Sequence, residues 1–141
     1  VVGVVIALVG LTDLAFAWFP LEWGNLEWEF GTSSRTFDGL PLSTIGIGAL
    51  AASAIGMGSR RGILAALVLV LGSWLVIVGS MVMYWLNVPP AWAAAPAPIL
   101  TSLKIAAVRS SIFMIVYVAA YSWLTVFLWR RWRSFPSGGK A

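Results

Sequence analysis

From Gly62 to Leu103 the chain carries no Asp, Glu, Lys or Arg. A soluble domain can hide a short uncharged run in its core, but a stretch of this length is more simply hosted by a bilayer. The rest of the composition agrees. Charged residues make up 10% of the chain and hydrophobic residues 60%, where a soluble domain carries about 25% charged residues. A soluble all-helical protein is therefore a poor reading. A transmembrane barrel would need alternating strands of about ten residues, and that pattern is absent.

Four apolar runs stand out: residues 1–19, 42–58, 63–86 and 103–129. They predict an all-α integral membrane four-helix bundle, with residues 1–133 as one domain and 134–141 as a flexible tail. The first residue is valine, so a few N-terminal residues are expected to be missing. Pro20 closes the first run, and residues 20–41 read as a structured outer interfacial loop. The Pro- and Ala-rich stretch 87–98 reads as a connection too interrupted for a regular helix.

Orientation follows from the basic flanks. Arg60 and Arg61 separate runs two and three, and Arg130, Arg131 and Arg133 follow run four. This places both termini on the cytoplasmic side of a bacterial inner (cytoplasmic or intracytoplasmic) membrane. The 20–41 connection, with four acids and one Arg, then faces out. Lys104 and Arg109 run against this bias.

The chain has no cysteine and no histidine. Disulfides, thiolate chemistry, imidazole general bases and the usual haem or chlorophyll ligands are thereby excluded. No spacing matches a calcium, zinc or phosphate-binding motif. The reading is of a protein that is not an enzyme and binds no cofactor through a specific ligand. Peripheral contacts with lipid, quinone or pigment remain open. Nine basic residues beside apolar runs set topology and do not suit nucleic acid.

Small residues recur at helical spacing: Gly3, Ala7 and Gly10 in run one, and Gly48, Ala52 and Gly56 in run two. Run three has Gly72 and Gly79, each followed by Ser. Such faces let helix backbones approach closely, within the bundle or against another subunit. Most of the nine tryptophans fall near run ends and suit an aromatic belt. Trp28 can join them. Trp74 and Trp123 lie deeper and need a buried partner, a lipid or a pigment.

The outer stretch FPLEWGNLEWEFGTSSRTFDGLP holds most of the ionisable side chains that are not basic flanks. Arg35 is expected to form a local network with Glu22, Glu27, Glu29 and Asp38, extended by Lys104. Asp13 falls seven residues before Pro20, roughly 10 Å inside run one. A lone carboxylate there is costly. Arg109, at the outer part of run four, is its expected partner across the bundle, as a structural ion pair or as part of a proton or ion relay.

The residues Pro20, Asn25, Trp28 and Leu40-Pro41-Leu42 resemble a pattern in small membrane proteins of photosynthetic and related bacteria: a proline, an Asn-x-x-Trp element, a polar stretch and a Leu-Pro-Leu entry into the next span. Cyanobacterial hormogonium polysaccharide-secretion membrane proteins are one such group. The chain also resembles the small accessory subunits of gemmatimonad photosynthetic reaction-centre–antenna complexes. The second resemblance implies a structural subunit stabilising a reaction-centre–light-harvesting complex, surrounded by other transmembrane subunits and lipids, in a hetero-oligomer more readily than a homo-oligomer. The alternative is a small transporter or channel using Asp13 and Arg109.

Overall fold

The computed structural model describes residues 2–134, without the side chains of Leu14, Leu26, Phe30, Ser34 and Asp38. The tail beyond Ser134 and the place of Asp38 in the outer network lie outside these residues. Within them the protein is an all-α four-helix bundle: α1 (Val2–Trp18), α2 (Leu26–Gly56), α3 (Arg60–Ala94) and α4 (Ala97–Ser134). The helices alternate in direction, and each packs on its sequence neighbour. One end of the bundle carries Arg60, Arg61, Arg130, Arg131 and Arg133. The other carries the turn between α1 and α2, here termed the cap.

Three helices, α2, α3 and α4, are long and apolar enough to cross a membrane, which makes the chain a multi-pass membrane protein; α1, at 17 residues, is shorter. The long helices run well past the expected spans. At 1.5 Å per residue they reach roughly 46, 52 and 57 Å, against a hydrocarbon core of roughly 30 Å.

The expected 20–41 loop is mostly helix. Asn25 caps α2 by accepting from the backbone N–H of Glu27 (3.1 Å) and Trp28 (3.3 Å), and Glu27 and Glu29 place negative charge in its first turn. Pro41 sits inside α2. It offers no N–H to the carbonyl one turn back, and beside it the hydroxyls of Ser43 and Thr44 both donate to Leu40 O, at 2.9 and 2.7 Å. Burial explains why the helix continues. Ser33, Thr36, Leu40, Ser43, Ile47, Ala51 and Ala54 are all buried. They fall every three or four residues, so one inward stripe passes through the proline.

The 87–98 connection is also helical for most of its length. α3 continues through Pro89 and Pro90 to Ala94, and α4 begins at Ala97. Both prolines are exposed near the helix end, where the lost backbone bonds face outward. The arginine-end turn is tight. Gly58 adopts φ 62°, and Ser59 caps α3 by accepting from Gly62 N–H at 3.1 Å.

α1 and α2 meet at backbone distance. A methyl group on Gly10 would lie 2.6 Å from Ser43 N, and one on Gly46 would collide with the backbone of Ala7. These two glycines set the closeness of the pair. The principal core lies between α2, α3 and α4, around Leu40, Ile47, Ile63, Val70, Ile77 and Tyr121.

Candidate functional site

The cap is the most polar ordered part of the molecule. Trp18, Trp23 and Trp28 form a closed triad with ring centroids 5.5–6.4 Å apart and edge-to-face or tilted planes. Glu29 ties this turn to α3. Its Oε1 accepts from Gly24 N–H at 3.0 Å, and its Oε2 accepts from Asn87 Nδ2 at 2.8 Å. Asn87 Nδ2 also donates to Met83 O, and Asn25 Nδ2 donates to Glu22 Oε2 at 2.9 Å. With a hydrocarbon core of roughly 30 Å counted from the arginine end, Glu29 lies about one turn beyond the part of α2 that the core can hold. The Gly24 and Asn87 hydrogen bonds hold its carboxyl below the usual carboxylate value, against a smaller opposing effect of burial.

Inside the bundle, aromatic donors meet hydroxyls in a repeated way. Trp18 Nε1 donates to Thr36 Oγ1 at 3.1 Å, and Thr36 donates to Thr32 O. Trp74 Nε1 donates to Ser122 Oγ at 2.8 Å, and Ser122 donates to Val118 O. Thr44 Oγ1 gives its proton to Leu40 O, so Tyr121, 2.8 Å away, is the donor in their contact. Each hydroxyl spends its one proton on its own helix and uses its oxygen to bind the neighbouring helix. Ser73 and Ser80, a heptad apart on α3, bury hydroxyls that have no hydrogen-bond partner among the described residues.

Asp13 and Arg109 do not pair. No ion pair involves either among the described residues, both are exposed, and Arg109 lies over the Phe113 ring at 5.9 Å. Helix register gives the reason. Gly10 lies against Ser43, Trp18 against Thr36, Asn87 against Glu29 and Trp74 against Ser122. Asp13 is therefore level with about residue 40 of α2 and 119 of α4. Arg109 is about ten residues nearer the cap, roughly 15 Å higher. Counted from the arginine end, Asp13 lies roughly 10 Å inside a 30 Å hydrocarbon core, and Arg109 lies outside it.

Arg35 also makes no ion pair among the described residues. It lines one recess with Asp13, Phe16 and Ala17, and another with Glu22, Glu27 and Thr32. Glu29 is committed to Gly24 and Asn87, so the expected charge network around Arg35 gives way to an amide–carboxylate clamp. Lys104 stacks 5.8 Å from the Trp92 ring. Two arginines at the opposite end follow the same habit, with Arg60 over Trp132 at 5.0 Å and Arg133 over Trp129 at 4.6 Å.

The small residues divide. Gly3, Ala7 and Gly10 face α2, but α2 answers with Ser43, Gly46 and Ala49. A methyl group on Gly48, Gly56, Gly72 or Gly79 would meet nothing within 4 Å, and Ala52 is exposed. Those residues do not mediate close packing within the chain. Gly46 follows Ala7 and Gly10 in register, a signal readable only once α1 and α2 are paired. Trp74 is held by Ser122, whereas Trp123 is 68% exposed and stacks on Phe127 at 5.5 Å. Among the described residues no group of three His, Cys, Asp or Glu is placed to hold a metal ion.

No protein-family model matches the sequence, and no curated protein or solved structure shows significant similarity to it.

Proposed function

We propose that this chain is a non-catalytic structural subunit that stabilises a larger bacterial membrane complex. The observation that carries the reading is the cap. Three tryptophans and the Glu29–Asn87 clamp order a surface beyond the apolar part of the bundle, and that surface presents shape and charge. Trp23 stands 64% exposed at its rim, as an interface anchor does. The outward faces of α1 and α4 are apolar and suit neighbouring subunits or lipid. Transport draws no support from Asp13, which faces away from the bundle interior.

The setting we propose is a photosynthetic reaction-centre–light-harvesting complex in the inner or intracytoplasmic membrane, with the arginine end in the cytoplasm. Its support is the resemblance of Pro20, Asn25, Trp28 and Leu40-Pro41-Leu42 to a pattern in small membrane proteins of photosynthetic and related bacteria, together with the chain's likeness to small accessory subunits of reaction-centre–antenna complexes; the basic flanks support the orientation. Pigment, quinone or lipid would then meet the protein at its surface, with Trp123 as a contact. The test is purification from native membranes in mild detergent, with absorbance and mass spectrometry. Stoichiometric partner chains, with pigment in the same peak, are the expected result. A chain that elutes alone throughout would overturn the proposal.

A further inference from the structure

The face of α1 that turns away from the bundle carries a charge at a depth where charge is costly. Val5, Leu8, Val9, Thr12 and Phe16 recur every three or four residues and, with Leu42 of α2, line a shallow groove of about 600 Å³. Asp13 sits in this groove, exposed and without an ion-pair partner among the described residues, roughly 10 Å below the hydrocarbon boundary. Thr12 beside it is committed to its own helix, donating to Leu8 O at 2.7 Å. The close contact at Gly10 and Gly46 fixes α1 on α2, so the groove is a firm surface.

We propose that this groove docks a transmembrane helix of a different subunit, one that presents a lysine or arginine at the depth of Asp13. The inference rests on the reading of the chain as a subunit of a membrane assembly and names the chemistry of one neighbour. The groove is apolar and open along its length, which suits the side of a helix. The carboxylate within it selects a cation or a strong hydrogen-bond donor. A second copy in the same orientation brings no cation to this height. Its Arg109 lies roughly 15 Å nearer the cap, its Arg130 about as far toward the other end, and its Arg35 about five residues above Asp13, near the boundary. Two copies meeting symmetrically on this face would set Asp13 against Asp13.

The test uses the full chain in lipid vesicles, labelled through Ser134→Cys, since the chain has no cysteine of its own. The probe is a Leu-rich transmembrane peptide with one Lys about 10 Å from one end, and association is read by energy transfer. The expected result is association about tenfold tighter than that of the all-Leu peptide, lost in Asp13→Asn. Moving the Lys by two helical turns should abolish the gain with the unaltered protein. Equal affinity for the Lys and all-Leu peptides would overturn the proposal. So would a marked gain in association in Arg35→Gln, which would assign Asp13 to a pair within the chain, or chain-to-chain transfer abolished by Asp13→Asn, which would assign the groove to a second copy. The peptide assay needs no native partner, so its failure is separate from a failure to recover partners from native membranes.

Discussion

Glu29 on α2 and Asn87 on α3 are joined at 2.8 Å across the outer part of the bundle, and the second oxygen of Glu29 holds Gly24 in the turn above. One carboxylate thus fastens the α1–α2 turn to a helix more than fifty residues away. Both hydrogen bonds favour the ionised form and lower the carboxyl's affinity for protons in the folded state. A group with a depressed folded value contributes stability above its unfolded value, about 4.5, and loses that contribution as pH falls through the folded value. Cap order, followed by fluorescence of the Trp18–Trp23–Trp28 triad, should therefore be level near neutral pH and fall as the pH drops from about 4.5 toward the lowered folded value. Glu29→Gln should flatten this acid transition.

Gly46 is the tightest point between α1 and α2. Gly46→Val should push Ala7, and α1 with it, away from α2 at a cost of about 1–3 kcal/mol, measured by thermal unfolding in detergent. Gly48→Ala, where an added methyl meets nothing within 4 Å, should not destabilise the helix and should raise stability by up to about 1 kcal/mol.

Tyr121 is buried and donates to Thr44. Tyr121→Phe removes that donor and leaves Thr44 bonded to Leu40 O, so a loss of about 1 kcal/mol is expected. Thr44→Val leaves a buried phenol without its acceptor and should cost about 1–3 kcal/mol. A double-mutant cycle measures the coupling, and a value near zero would contradict a stabilising hydrogen bond between the two hydroxyls.

Trp74 and Trp123 should respond oppositely. Trp74→Phe strands no buried donor but gives up the bond to Ser122, at a cost of about 1 kcal/mol. Trp123→Leu touches an exposed ring and should leave thermal stability within about 0.5 kcal/mol. It should instead alter association with neighbours or pigment in native membranes.

The helical class and the strongest spans were legible because long uncharged runs have few other homes. The helical cap was not. The inward stripe of α2 passes through Thr32, Ser33, Thr36 and Ser43, residues that count as polar in any apolar periodicity, and Pro41 interrupts the pattern at its centre. Helix continues there because the hydroxyls turn their protons onto their own backbone. Asp13 could be singled out by its depth alone. Its separation from Arg109 could not, because α4 begins at Ala97 and carries Arg109 up with it. The role of Glu29 was hidden because Asn87, its partner, sits in a stretch whose prolines argue for a break.

The unequal lengths of the helices set a step in the molecule. α1 stops at Trp18, while α2, α3 and α4 continue toward the cap. A neighbour that reaches the upper storey does not need to displace one that lies against α1 below it. As the proposed subunit, the chain would hold a membrane-embedded helix and a peripheral contact at once, at a spacing set by its helices. In an assembly, that makes it a gauge of height as well as a filler of space.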